Sequence, residues 1–213
     1  MSIPDSVAAL ERDLRAIFGD RMQSFVLYAA SRPTGTPKAT LAVVSSLTTG
    51  DLRDCAARVV TWQEAGLATP LILEAHEFSR SLDAFPYEFG AILADYQVIA
   101  GSDPFSGLQV DASDLRRACE VQARSHLMHL REAFIETRGR SDALADLIGR
   151  SSLPLTALLE NVARLGMQAH DPALDRVVAL RGHAPTSNQA RELFPPYLAA
   201  VQQLTQHIDR WRS

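Results

Sequence analysis

The 213-residue sequence has few cysteines, no excess of basic residues and no long hydrophobic run. Its 2 cysteines, Cys55 and Cys119, fall within helical patterns, so we interpret them as small buried residues and not as a disulfide or a metal site. The net charge of −4 lacks the positive excess that attracts a phosphate backbone, which argues against duplex nucleic acid as a ligand. No segment approaches about 18 uninterrupted apolar residues, and the first residues lack the apolar core of a signal peptide. We therefore predict a cytoplasmic protein that does not bind membranes.

The first half of the sequence alternates helical and strand patterns. Two helices are predicted from apolar residues at helical spacing, namely Val7, Leu10, Leu14 and Ile17, and then Leu52, Cys55, Val59 and Trp62 in a helix that ends at Gly66. Four short apolar or β-branched segments predict strands at Ser24 to Ala30, Thr40 to Ser46, Pro70 to Ala75 and Tyr96 to Gly101. The segment that begins at Thr40 is apolar on both faces, which is typical of a central strand covered by helices.

The second half shows helical patterns and no strand. It follows a segment rich in Gly, Ser, Asp and Pro, residues 101–111, which predicts a domain boundary. Two stripes of residues at helical spacing are Leu115, Cys119, Ala123, Leu127, Leu130 and Phe134, and Tyr197, Val201, Leu204, Ile208 and Trp211. Two further helices lie between them, the second with Asp171 as its cap and Pro172 in its first position. We predict an α+β protein, with a small α/β domain over residues 1–105 and an all-α helical bundle over residues 112–213.

Three short motifs carry a resemblance to a known family. They are LYAAS after the first strand, SLDAFPYEF over residues 81–89 and IAGSDPFSGL over residues 99–108. Together with the order of the elements, they resemble bacterial nucleotidyltransferase-like proteins of the DNA polymerase β superfamily. The resemblance implies a small mixed sheet that carries the active site and a C-terminal bundle that helps to hold the substrate. Within the second motif we predict that Phe85 and Phe89 are core residues.

The catalytic pattern that the resemblance implies is absent from this sequence. Family members carry Gly-Ser after the first strand, an Asp-x-Asp pair at the start of the next strand and a third carboxylate on a later strand. The Gly-Ser turn lets backbone N–H groups approach a triphosphate, and the carboxylates hold Mg²⁺ ions that polarise the phosphate. Here Ala29 and Ala30 stand in place of Gly-Ser, and Lys38 and Thr40 stand in place of the two aspartates. Residues 27–49 contain no Asp or Glu at all.

The same alignment gives a set of candidate ligand-binding residues, which are Ala29, Ala30, Ser31, Arg32, Lys38, Thr40 and Glu74. We predict no catalytic residue, no bound metal and no cofactor at this site. Lys38, Ser31 and Arg32 would hold a phosphate oxygen without a metal ion, whereas the alternative for Lys38 is a solvated residue on a loop. Glu74 stands where the third carboxylate belongs, but one carboxylate without its pair is a poor two-metal site.

These residues favour a degenerate nucleotidyltransferase-like protein, a pseudoenzyme that binds a nucleotide or another small anion for a regulatory or scaffolding purpose. One alternative is an active Mg²⁺-dependent nucleotidyltransferase that uses relocated carboxylates such as Glu74, Asp83 or Glu88. A second alternative is a structural homodimer or a partner-binding protein that uses an apolar face of the bundle. The first alternative needs at least two carboxylates within reach of one metal ion.

Overall fold

The computed structural model describes residues 3–29 and 36–211, apart from the side chain of Ser79. The chain divides into two compact units, Met1–Val110 and Asp111–Ser213. The elements of the first unit are α1 (Asp5–Phe18), a 3₁₀ turn (Gly19–Arg21), β1 (Met22–Tyr28), β2 (Ala39–Val44), α2 (Thr49–Ala56), α3 (Val59–Glu64), β3 (Leu71–Glu74), α4 (Ala75–Ala84), α5 (Pro86–Ala94) and β4 (Tyr96–Gly101). Those of the second unit are α6 (Ala112–Glu136), α7 (Ser141–Arg164), α8 (Pro172–Val178) and α9 (Ser187–Arg210). The predicted α+β class, a small mixed sheet followed by an all-α region, is confirmed.

The four strands form one mixed sheet in the order β3-β2-β1-β4. Strand β1 pairs antiparallel with both β2 and β4, whereas β2 pairs parallel with β3. A parallel pair needs a crossover connection, which α2 and α3 supply here. Every residue of β2 is buried, so the prediction of a central strand covered on both faces is confirmed.

Alternate residues of β2 enter two separate apolar cores, as the two-residue period of a strand requires. Ala42 and Val44 belong to the core that also contains Leu10, Leu14 and Trp62 from α1 and α3. Leu41 and Val43 belong to the core that also contains Phe78, Phe89 and Ile92 from α4 and α5. The sheet is therefore covered by helices on both faces.

The prediction of one continuous helix over residues 52–66 is wrong. The chain forms two helices there, α2 and α3, and turns at Ala57 and Arg58. The Arg58 guanidinium donates to Asp13 Oδ1 at 2.8 Å, and the indole Nε1 of Trp62 donates to Asp13 Oδ2 at 2.8 Å. One carboxylate on α1 thus fixes the start and the middle of α3. The helical spacing of apolar residues continues across this turn, so the sequence pattern does not reveal it. The turn is set by tertiary contacts such as those of Asp13.

The prediction that Phe85 is a core residue is also wrong. Its side chain is 56% exposed, whereas Phe89 is 3% exposed and packs in the core as predicted. Phe85 lies between α4 and α5, and Pro86 occupies the first position of α5. A proline disfavours the helical conformation of the residue before it, so the chain bends at Phe85 and its side chain leaves the helix face.

The second unit is built from helices that bury their apolar stripes against one another. The α9 stripe is confirmed at Tyr197, Val201, Leu204 and Ile208, which are all buried, whereas Trp211 follows the last residue of the helix and is half-buried. In the α6 stripe, Phe134 is 42% exposed but stacks on Phe194, with ring centroids 4.4 Å apart. Asp171 caps α8 as predicted, because its Oδ1 accepts from the Ala173 N–H at 2.8 Å. None of the helices in the described residues is long and apolar enough to cross a bilayer.

Candidate functional site

Several candidate residues lie at one edge of the sheet, where β1 ends and β2 and β4 begin; we call this the loop edge. Tyr28 at the end of β1 pairs with Ala39 at the start of β2 and with Tyr96 at the start of β4. Ala29 and Lys38 are therefore brought together at the loop edge. The connection between them includes residues 30–35, so the candidates Ala30, Ser31 and Arg32 lie outside the described residues.

Ala29 adopts a backbone conformation that favours glycine. Its φ is +52°, in the left-handed region, where a Cβ atom costs about 1 kcal/mol relative to glycine. Its N–H donates to the Asp95 carbonyl oxygen at 2.8 Å, which ties the end of β1 to the residue before β4. The turn after β1 thus has the backbone geometry expected of a glycine-containing turn, although the residue is alanine.

The backbone of Lys38 is held by two hydrogen bonds, and its side chain is exposed to solvent. Its N–H donates to the Gly66 carbonyl at 3.0 Å, and its own carbonyl accepts from the Ala68 N–H at 2.8 Å. Among the described residues, no carboxylate forms an ion pair with the Lys38 ammonium group. Lys38 is also the only lysine in the sequence. Lys38 therefore presents a positive charge at the loop edge.

Thr40 lies inside the fold and does not face solvent. It is 0% exposed, and its Oγ1 has no hydrogen-bond partner among the described residues. Its side chain lies on the same face of β2 as Ala42 and Val44, so it points toward the core that contains α1. A hydroxyl buried in this way is not accessible to a ligand at the surface of the loop edge.

Glu74 is not brought together with Lys38 and Thr40. Because β2 and β3 are parallel, Glu74 pairs with Val44 at the far end of β2. A strand rises about 3.3 Å per residue, which places Glu74 about 20 Å along the sheet from the level of Lys38. The β3 partner of Leu41 is Leu71, so the residue level with Thr40 is Pro70, which has no ionisable group.

The Glu74 carboxylate is already used by the fold. Its Oε1 accepts from the Leu47 N–H at 2.7 Å, and its Oε2 lies 3.0 Å from His76 Nδ1. The Glu74 N–H in turn donates to the Glu77 carboxylate at 3.1 Å, at the start of α4. These contacts join the segment that follows β2 to the start of α4, so the Glu74 carboxylate stabilises the fold.

One acidic residue at the loop edge was not predicted from the sequence. Asp95 precedes β4, and its carbonyl receives the Ala29 N–H. A lone aspartate between a helix and a strand carries no recognisable motif, so only the pairing of β1 with β4 reveals its position. No group of three or more His, Cys, Asp or Glu side chains that could hold a metal ion occurs among residues 3–29 and 36–211.

The nearest acid after β2, Asp51, serves the fold at the opposite end of the sheet. Its two oxygens accept from the Arg21 guanidinium at 2.7 and 2.8 Å, and Oδ2 also accepts from the N–H and the hydroxyl of Thr48. The hydrogen bonds from Arg21 and then from Thr48 hold the pKa of Asp51 well below its usual range. Asp51 therefore joins α2 to the start of β1 and is not a free metal ligand.

Replacing Asp51 by asparagine is expected to lower the free energy of unfolding by about 2 kcal/mol at pH 7, because two charge-assisted hydrogen bonds are weakened. Since the folded pKa lies below the unfolded value of about 3.9, the contribution of the carboxylate is complete above that pH and is lost as the pH falls below it. Urea unfolding of both proteins at pH 7, 5 and 3 measures the difference, which should shrink at the lowest pH. The matched control is Asp54→Asn, an exposed acid of the same helix, which should change stability by less than about 0.5 kcal/mol. A difference that persists unchanged at pH 3 would contradict this assignment.

Comparison with known proteins gives a likeness in structure but none in sequence. No protein family and no curated protein sequence matches the chain. The structure is similar to that of a spectinomycin adenyltransferase, AAD(9), from Enterococcus faecialis, determined with ATP and spectinomycin. The two chains are 12% identical with a TM-score of 0.51, and the likeness covers 93% of this chain and 98% of that chain. At this identity the likeness concerns the fold alone, and it shows that the chain has a nucleotidyltransferase-like fold.

Proposed function

We propose that the protein is a degenerate member of the DNA polymerase β superfamily that does not transfer nucleotides and binds a nucleotide or another small anion at the loop edge. Its role would then be regulatory or scaffolding. The observation that carries this proposal is the chemistry of the two positions aligned with the metal-binding aspartates. One is the exposed cation Lys38, and the other is Thr40, whose side chain is buried in the core.

The surroundings of these positions support the absence of two-metal chemistry. A pair of Mg²⁺ ions needs several carboxylate oxygens close together. Level with Thr40, the residue that precedes β3 is Pro70, which has no carboxylate, and Asp95 is an acid that the described structure places at the loop edge. Lys38 would also repel a cation placed beside it.

The same surroundings support the binding of an anion. Lys38 carries a charge that no described carboxylate neutralises, on a backbone fixed by two hydrogen bonds. The turn at Ala29 keeps a left-handed backbone beside it. ATP is present in the similar adenyltransferase structure, which makes nucleoside triphosphates the first ligands to test.

The alternative of an active enzyme with relocated carboxylates has less support. Glu74 lies at the other end of β2 and is bound to Leu47 and His76. Asp83 is exposed on α4, and Glu88 is exposed on α5. These three acids belong to separate elements, and among the described residues none of them is part of a group of three or more His, Cys, Asp or Glu side chains that could hold a metal ion.

The single lysine permits a direct test of both parts of the proposal. Reductive ¹³C-methylation keeps the charge of Lys38 and adds one NMR signal besides that of the N-terminal amine. We expect ATP, GTP, CTP, UTP or inorganic triphosphate to shift this signal without Mg²⁺. The same ligand should stabilise the unmodified protein by about 2.7 kcal/mol at 100 times its Kd.

The controls separate anion binding from catalysis. Lys38→Gln should abolish the metal-independent stabilisation, whereas Arg53→Gln, which removes an exposed cation from α2, should leave it unchanged. Absence of any response from all five ligands would overturn the binding proposal. Pyrophosphate release that requires Mg²⁺ and survives in Lys38→Gln would overturn the assignment as a pseudoenzyme and favour relocated carboxylates.

A further inference from the structure

The second unit contains a groove between α6 and α7 that has no part in the site described above. Its volume is about 450 Å³, which is within the range of pockets that hold one small molecule. Both apolar and polar side chains line it, with Leu130, Leu147 and Leu158 among the former and His126, His129 and Arg150 among the latter. A lining that combines apolar side chains with a few polar groups is typical of a ligand site.

A chain of hydrogen bonds runs from this groove into the core and fixes the orientation of each donor. Ser151 Oγ donates to the Ile148 carbonyl at 2.8 Å, and the Tyr197 hydroxyl donates to Ser151 Oγ at 3.0 Å. His126 Nε2 lies 2.7 Å from the Tyr197 oxygen. A tyrosine hydroxyl has one hydrogen, and with that hydrogen directed to Ser151 the Tyr197 oxygen accepts from His126. The proton of the His126 ring is therefore on Nε2.

The other ring nitrogen of His126 is left as an acceptor. Burial, and to a smaller extent the nearby His129, lower the pKa of His126, which keeps the ring neutral at pH 7. A neutral imidazole with a proton on Nε2 has a lone pair on Nδ1. No described residue donates a hydrogen bond to that atom. His126 lines the groove, and an Nδ1 lone pair that receives no hydrogen bond from a described residue can accept one from a ligand there.

Arg150 supplies a permanent positive charge in the same groove. Its side chain is exposed, and its described hydrogen bond is a long one of 3.4 Å from Nε to the Asp146 carbonyl. Within the described residues it forms no ion pair, although Glu136 also lines the groove. His129, by contrast, lies 3.1 Å from Glu132. Arg150 is therefore the cation of the groove that remains available to an acid.

We propose that this groove binds a small organic anion. Its acidic group would pair with Arg150, its apolar body would contact the three leucines, and a hydroxyl or N–H group would donate to His126 Nδ1. This site rests on residues of the second unit alone and does not depend on the function proposed for the loop edge. Such a ligand would be recognised by one charge-assisted contact, one directed hydrogen bond and apolar burial.

The orientation of His126 is tested first. Long-range ¹H–¹⁵N NMR of protein labelled with ¹⁵N-histidine distinguishes the two neutral forms of each ring, and Tyr197→Phe assigns the His126 signals because it removes its hydrogen-bond partner. We expect the wild-type His126 to carry its proton on Nε2 at pH 7.5. A proton on Nδ1 would overturn the proposal, because the acceptor would then be absent from the groove.

Binding is tested with three related probes, 4-hydroxyphenylacetate, phenylacetate and tyramine. The first has both the acid and the donor, the second lacks the donor, and the third replaces the acid by an amine. We expect the first to shift the His126 signals at the lowest concentration, the second at a higher one, and tyramine to have no effect. Arg150→Gln should weaken the binding of 4-hydroxyphenylacetate about tenfold.

The matched control is Arg176→Gln, which removes an exposed arginine from α8, away from the groove. Its affinity for 4-hydroxyphenylacetate should equal that of the wild type. Equal weakening in both variants would show only general attraction of an anion to a positive surface and would overturn the proposal. Failure of both acidic probes to shift the His126 signals at millimolar concentration would also overturn it.

Discussion

Replacing Thr40 by aspartate is expected to destabilise the folded protein by about 4 kcal/mol and to create no metal site. The Thr40 side chain is 0% exposed and faces the core that contains α1 and Trp62. A carboxylate placed there loses its hydration, gains no described donor and is stable only when it is protonated. Urea unfolding at pH 7 measures the loss, and it should be smaller at pH 4 because the buried acid is then protonated more easily.

Two further substitutions isolate the cause of this effect. Thr40→Val keeps the shape of the side chain and removes an unpaired hydroxyl, so it should raise the free energy of unfolding by about 1 kcal/mol. Lys38→Asp places the same carboxylate on an exposed side chain and should change stability by less than about 0.5 kcal/mol. A Thr40→Asp protein that is as stable as the wild type, and that gains stability from Mg²⁺, would contradict the buried position of this side chain.

The absence of acidic residues around the start of β2 follows from the sequence, but the position of Glu74 in the sheet could not be predicted from it. Residues 27–49 contain no acid, and that statement needs no structure. The position of Glu74 depends instead on the parallel register of β3 against β2, which pairs it with Val44. Register between distant segments is set by tertiary packing, which a single strand pattern does not contain. For the same reason the position of Asp95 at the loop edge could not be predicted, since it follows from the pairing of β1 with β4.

The helical patterns of the second unit were predicted well, but their polar contacts were not. The spacing of Tyr197, Val201, Leu204 and Ile208 indicates a buried helix face, and all four are buried. It gives no sign that the Tyr197 hydroxyl joins His126 and Ser151, which lie 71 and 46 residues away in sequence. Apolar periodicity reports which face of a helix is buried, whereas a hydrogen-bond chain depends on which helices meet there.

Replacing Gly101 by alanine is expected to lower the free energy of unfolding by about 3 kcal/mol. The φ of Gly101 is +80°, and an added Cβ would overlap the Gln23 carbonyl of the adjacent strand. That carbonyl accepts from the Ser102 N–H at 3.1 Å, and Ser24 Oγ donates to the Ser102 carbonyl at 2.7 Å. The end of β4 would have to move away from β1 and weaken both hydrogen bonds. Urea unfolding of the variant and of the wild type measures the loss.

Gly107→Ala separates the close contact at Gly101 from the cost of the backbone conformation. Gly107 has a similar φ of +75°, but an added Cβ there meets no atom within 4 Å, so its substitution should cost only about 1 kcal/mol. Equal losses in the two variants would contradict the close approach of Gly101 to Gln23. Gly101 lies at the end of β4 opposite the loop edge, about 17 Å along the strand from Tyr96. The folded fraction of Gly101→Ala should therefore keep the anion response that we propose for Lys38, since the contact of Gly101 with Gln23 lies at the other end of the sheet.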